Sequence, residues 1–188
     1  MIGRKVSNLR KNQLPCVSII EKLMDEFIKI YTDGACKGNP GPGGYGVVLL
    51  SGERRKELSG GFRKTTNNRM ELLACIEGLR SLKRPCTVEL TSDSSYVVNA
   101  IEKGWARRWS SKGWKLSPGK PAKNSDLWKQ LLDLCAEHTV RFKWVKGHAG
   151  HSENERCDVL AVEASQLNDL PADLAFETVF LADDLFSA

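Results

Sequence analysis

The chain has 188 residues, with 28 Lys and Arg against 23 Asp and Glu and a formal net charge of +5, a size that buries one hydrophobic core without staples. Its apolar runs fall far short of the roughly 20 residues that cross a bilayer, and Val17-Ser-Ile19-Ile20 is too short for a signal-peptide core, which excludes membrane-spanning roles. Six cysteines (Cys16, Cys36, Cys75, Cys86, Cys135, Cys157) form no CxxC pair and read as reduced thiols of a cytoplasmic protein rather than as a zinc knuckle or disulfide framework.

The first 23 residues carry Arg4, Lys5, Arg10 and Lys11 with no acid before Glu21 and no sustained periodicity, so residues 1–24 are expected to form a disordered arm. Phe27-Ile-Lys-Ile-Tyr-Thr32 is a β-rich run that delivers Asp33, and Gly44-Tyr-Gly-Val-Val-Leu-Leu50 is a second run. The glycine and proline stretch between them could cradle a phosphate only if it opened a helix. It leads into a strand, and so predicts a hairpin turn. Ser51-Gly52 turns into a third strand reaching about Lys64, which completes an antiparallel meander.

Residues 66–82 repeat apolar positions every three or four residues and predict a helix, with Thr66 or Asn67 as N-cap and Glu71 in the first turn. Such a Glu commonly just offsets the helix dipole. Thr87-Val-Glu-Leu-Thr91 predicts a short strand ending at Ser92-Asp93, and Ser94 or Ser95 caps a helix through about Lys103; an Asp at that junction is often only a cap. From Lys103 to Lys123 the chain carries Lys103, Arg107, Arg108, Lys112, Lys115, Lys120 and Lys123 with no acid, interleaved with Trp105, Trp109 and Trp114. A solvated face has no use for those rings, and nucleic acid uses both charge and rings. Asn124 opens another helix, and Val140-Arg-Phe-Lys-Trp-Val145 alternates as a strand. Gly147-His148-Ala-Gly150-His151 is a loop, and Ser152-Glu-Asn-Glu155 reads as the capping box of a helix holding Asp158 within its first two turns. Residues 167–188 form an acidic tail with Phe176, Val179, Phe180, Leu181, Leu185 and Phe186 among its acids, free to fold back on the body or to pair with the basic face.

Tyr31-Thr-Asp33-Gly34, Asn67-Asn68-Arg69-Met70-Glu71, Thr91-Ser92-Asp93-Ser94, Trp144-Val-Lys146-Gly147-His148 and Asn154-Glu155-Arg156-Cys157-Asp158 occur in an order and spacing that resemble type 1 ribonuclease H, over roughly residues 25–166. The resemblance implies an α/β fold with a mixed five-stranded sheet (three antiparallel, then two parallel strands), helices on both faces and a basic protrusion. It implies an endonuclease that hydrolyses the RNA strand of RNA/DNA hybrids by two-metal-ion catalysis, leaving 5′-phosphate and 3′-hydroxyl ends. Asp33, Glu71, Asp93 and Asp158 are then metal ligands, with His148 assisting proton transfer or product departure. Four carboxylates gathered together would repel and hold protons unless divalent cations bound them, and oxygen-only donors favour Mg²⁺, with Mn²⁺ able to substitute.

By the same resemblance, Cys36, Asn39, Asn67 and Ser94 read the 2′-hydroxyls of the RNA strand. Lys64, Thr66 and Asn124 seat a phosphate of the DNA strand, and Trp105 and Trp109 pack on its deoxyriboses. Ser95 stands where many relatives carry a Gln, and Gly104 reads as an extra residue at the base of the protrusion. A monomer is expected. Two other readings compete: a hybrid-binding module without catalysis, which four carboxylates argue against, and another nuclease of the same fold, whose exonuclease branch needs a second acid where Gly34-Ala35 stands. Met24 is a natural start for the family, so a chain beginning there is expected to cut hybrids at full specific activity. A tenfold loss at low salt would make the arm a substrate-binding element.

Overall fold

The computed structural model describes residues 27–116 and 120–185, so the expected arm over residues 1–24 lies outside the described residues. In chain order the elements are β1 (Phe27–Cys36), β2 (Gly41–Ser51), β3 (Arg54–Thr65), α1 (Asn67–Arg80), β4 (Thr87–Ser92), α2 (Ser95–Glu102), α3 (Trp105–Ser111), α4 (Ser125–Glu137), β5 (Thr139–Trp144), α5 (Ser152–Ser165) and α6 (Leu174–Leu185). The strands form one sheet in the order β3-β2-β1-β4-β5. β1–β2 and β2–β3 pair antiparallel, whereas β1–β4 and β4–β5 pair parallel, which is the mixed α/β sheet expected from the sequence.

Successive strand residues face opposite sides of a sheet, and β1 shows what each side covers. Ile30 points into the main core with Val47, Leu49, Val88 and Leu90 of the sheet and Met70, Leu72, Ile76 and Leu79 of α1. Tyr31 faces a smaller cluster of Val48, Cys157 and Leu160 under α5. Helices therefore cover both faces. Among the fully buried side chains are Trp128, Ile30, Leu72 and Leu131, each contributing about 1.5–3 kcal/mol through apolar burial. Among the described residues no helix is long and apolar enough to cross a membrane.

Several boundaries differ from expectation for physical reasons. β2 begins at Gly41 rather than Gly44, so its glycines belong mostly to the strand and not to the turn. They are needed there because α5 lies directly on β2: a Cβ on Gly46 would sit 2.1 Å from the backbone oxygen of Cys157. α1 starts at Asn67 with Thr66 as N-cap, which puts Glu71 in the second turn instead of the first and removes its reading as a dipole-compensating residue. α5 has His151 as N-cap, so Ser152 is its first helical residue and the capping box is not formed. Glu155 Oε1 accepts the backbone N–H of Gly150 at 3.1 Å instead, tightening the preceding loop.

The segment after α5 folds back on the body. Pro171 O accepts the N–H of Arg63 on β3 at 2.9 Å, and Arg63 also grips Glu177 through two nitrogens at 3.1 and 2.8 Å. Asp173 is 3% exposed. It accepts from Arg69 Nε (2.6 Å), Arg69 Nη2 (2.8 Å) and Thr65 Oγ1 (2.8 Å), while Arg69 donates twice more to Asp126 at 2.9 and 2.8 Å. One buried guanidinium thus ties together α1, α4 and the C-terminal segment.

Candidate active site

The parallel part of the sheet puts two of the candidate carboxylates side by side. Thr32 of β1 pairs with Ser92 of β4, and Ser92 with Trp144 of β5, so the parallel pairing of the three strands stops at one level, while β1 runs on beside β2 to Cys36. Asp33 and Asp93 are the next residues along. Open α/β sheets bind ligands at this edge, beyond the carboxyl ends of their strands. Glu71 arrives from α1, whose backbone rests on β1 at Gly34: a Cβ there would lie 2.4 Å from the Glu71 nitrogen. One carboxylate oxygen each from Asp33, Glu71 and Asp93 lie within 4.8 Å of one another.

Asp33 and Glu71 are 7% and 6% exposed. Burial raises the Asp33 carboxyl to about 7, helped by the nearby charges of Asp93 and Asp158 and opposed by the Gly34 N–H, which donates to Oδ1 at 2.7 Å. Burial, and then Asp33 and Asp93, push Glu71 well above the usual carboxylate range. Asn67 Nδ2 donates to Glu71 Oε1 at 3.4 Å, but Oε2 is buried without a partner. Crowded oxygens that hold protons for want of positive charge, one of them orphaned, fit a hard divalent cation. Asp158, the seventh residue of α5, is half-buried and stands outside this three-oxygen cluster, though close enough to raise Asp33. His148 is exposed in the β5–α5 loop, in the left-handed region with φ of 52°.

The candidate substrate residues occupy two places. Around the start of α1, Cys36 Sγ donates to the carbonyls of Gly41 and Thr65, both at 3.5 Å. Asn39 Oδ1 accepts the N–H of Asn67 at 3.3 Å, supplying the cap bond that the Thr66 side chain does not make. Cys36, Asn39, Thr66 and Asn67 therefore share one corner beside Glu71, with Lys64 at the adjoining end of β3. Ser94, the N-cap of α2, is buried, and its N–H bonds to Ser92 Oγ at 3.1 Å. On the protrusion side, Asn124 takes a left-handed φ of 60° and donates to the Tyr96 hydroxyl at 3.3 Å. Trp105 is exposed with the Lys103 ammonium 5.1 Å over its ring. Trp109 is half-buried and meets Trp128 edge-on at 5.8 Å, so it packs α3 onto α4. Lys103, Arg107, Arg108, Lys112, Lys115, Lys120 and Lys123 are all exposed.

The ribonuclease H family model matches residues 25–166, three quarters of the chain. The chain belongs to the ribonuclease H family. It is therefore an enzyme, a nuclease of the hydrolase class. The ribonuclease H of Desulforamulus reducens is 65% identical over 147 residues, covering 78% of this chain and 92% of that protein. Among solved structures, LC9-RNase H1, a type 1 ribonuclease H with the type 2 active-site motif, superposes with a TM-score of 0.67 at 33% identity, covering 74% of this chain and 72% of that one. LC11-RNase H1 in complex with an RNA/DNA hybrid has a TM-score of 0.57 at 26% identity, over 73% of this chain and 95% of that one. In this ribonuclease H, two residues that the sequence motifs contain but to which no role was assigned touch Asp93: Trp144, whose Nε1 donates to the Asp93 carbonyl at 3.0 Å, and Asn154, whose Nδ2 donates to Asp93 Oδ2 at 3.3 Å. Neither is local in sequence, so periodicity carried no signal for them.

Proposed function

We propose that the protein hydrolyses the RNA strand of RNA/DNA hybrids by two-metal-ion catalysis, as a monomeric cytoplasmic enzyme whose catalytic domain spans residues 25–166. The cluster of Asp33, Glu71 and Asp93 oxygens within 4.8 Å carries this reading. Asp33, Glu71 and Asp93 hold Mg²⁺, or Mn²⁺ in its place, with Asp158 joining from α5. The bound ions supply positive charge to the scissile phosphate and a water nucleophile at neutral pH. Water adds at phosphorus as the 3′-oxygen leaves in line, giving 5′-phosphate and 3′-hydroxyl ends. His148, exposed between glycines on its loop, takes or delivers a proton as product departs.

The hybrid held by LC11-RNase H1 supports this substrate. The Cys36, Asn39 and Asn67 corner, with Ser94, lies beside the carboxylates where 2′-hydroxyls flanking the cut would be read. Lys64, Thr66 and Asn124 take a phosphate of the DNA strand, Trp105 offers an exposed ring to its sugars and Trp109 supports that surface. A labelled hybrid incubated with Mg²⁺, Mn²⁺ or EDTA tests the proposal. RNA fragments with 3′-hydroxyl ends should appear with either metal and not with EDTA, and the DNA strand should stay whole. Cleavage in EDTA, or binding without cleavage, would sink it.

The exposed basic residues of the protrusion should act through phosphates. Replacing Arg107 and Arg108 by Ala is expected to weaken hybrid binding and flatten the log–log salt dependence by about one unit of slope for each phosphate that is no longer neutralised. Single-turnover cleavage at saturating enzyme should persist. An unaltered salt slope would reduce the cluster to a solvated face.

A further inference from the structure

Asn154 is the third residue of α5 and precedes Asp158 by one helical turn, so the two share a side of the helix. It is 3% exposed. Its Nδ2 donates to Asp93 Oδ2 at 3.3 Å, the orientation that sets a donor rather than an oxygen against the carboxylate. The other half of the amide is left over: Oδ1 is buried and has no hydrogen-bond partner. Asp93 itself is held from two further directions. The Trp144 indole donates to its carbonyl at 3.0 Å, and the Gly147 backbone comes so close that a Cβ there would lie 2.5 Å from Oδ2.

A side chain that packed for shape alone would be apolar here, because a buried carbonyl without a donor is unfavourable. Asn154 instead commits one end of its amide to Asp93 and keeps the other end open beside the carboxylates. A small donor with an O–H satisfies that oxygen, and water brought in with a cation is such a donor. We propose that Asn154 is a positioning residue, fixing Asp93 Oδ2 through its amide nitrogen and holding a water of the occupied site through its amide oxygen. This rests on the reading of Asp33, Glu71 and Asp93 as cation ligands. Partners that orient metal ligands in this way typically change metal affinity or activity by about 10- to 100-fold when removed.

The test is Mn²⁺ binding to the full chain without substrate, followed by electron paramagnetic resonance of the free ion, for the wild type, Asn154→Leu and Asn154→Ala. Leu keeps the number of side-chain heavy atoms but is bulkier, and Ala is smaller, so the two variants remove the amide with opposite packing errors and their melting temperatures in EDTA read the packing cost separately. Mn²⁺ affinity should nevertheless fall about tenfold in both variants. The KM for hybrid should stay constant, and kcat at low Mn²⁺ should drop and recover as Mn²⁺ is raised. Wild-type Mn²⁺ affinity in the variants, whatever their melting temperatures, would overturn the role of Asn154 alone. A wild-type chain that binds no Mn²⁺ would overturn the cation reading beneath it as well.

Discussion

Asp33→Asn is expected to abolish hybrid cleavage, by more than about a thousandfold or ~4 kcal/mol of barrier, while making the metal-free protein more stable above neutral pH. The two effects have one cause. Asp33 is buried beside Asp93 and Asp158, and its carboxyl is raised from 3.8 to about 7. A raised folded-state pKa means that the folded chain holds the proton more tightly than the unfolded chain does. The corresponding stability is fully present below about pH 4 and is lost as pH rises to about 7, after which the loss stays constant. The Asn variant lacks this titration. In EDTA the two proteins should therefore differ little near pH 4, and the variant should lead at pH 8 by at most about 4 kcal/mol, at about 1.4 kcal/mol per pKa unit. Burial and the Asp33 charge raise Glu71 as well, so these two carboxyls titrate together, which brings the difference below that ceiling. Urea melts at both pH values read the stability, and single-turnover assays in Mg²⁺ read the chemistry. Hybrid affinity should survive, because on the proposed reading it rests mainly on phosphate, sugar and stacking interactions made by other residues. Cleavage within about tenfold of wild type would remove Asp33 from the metal site. Equal stability at pH 8 would mean that the carboxylates are not in conflict.

Asp173→Ala is expected to cost about 3–5 kcal/mol of folding stability, the usual penalty for removing one partner of a buried ion pair. Arg69 stays buried at 4% exposure and loses two charge-assisted bonds, while Thr65 loses the acceptor of its hydroxyl. The pair with Asp126 remains, but the Asp126 side chain is 36% exposed and better able to exchange its partner for water. Asp126→Ala should accordingly cost less. At about 2–4 °C per kcal/mol for a chain of this size, the Asp173 variant should melt roughly 10 °C lower. A fall under about 1 kcal/mol, or a larger fall for Asp126→Ala, would show that the C-terminal segment is not anchored through this carboxylate.

These two residues mark how far the sequence could be read. Asp33 was legible because its context is local: an apolar alternating run ends on it, and periodicity fixes strand and side within a few positions. The same holds for Asp93 at the end of β4 and for the helix that carries Glu71. Asp173 looked like one acid among several in a tail, because its partner Arg69 lies 104 positions away and no short-range pattern records such a pairing.

By itself, then, the sequence determined the order and kind of the strands and of α1, α2, α4 and α5, since propensity and hydrophobic period act over one or two turns of chain, while the resemblance of its motifs supplied the mixed sheet and the four carboxylates. Only the tertiary structure decided which of those carboxylates meet. Asp33, Glu71 and Asp93 converge while Asp158 stands aside, because convergence depends on how closely α1 and α5 seat on the strands, a matter of backbone approach at Gly34 and Gly46. It also decided that Asn39 caps α1 from across the turn, that the β2 glycines form a helix seat, and that Asn154 reaches Asp93 from 61 positions away. Each joins distant segments and is set by packing and burial of polar groups rather than by the local preferences a sequence displays.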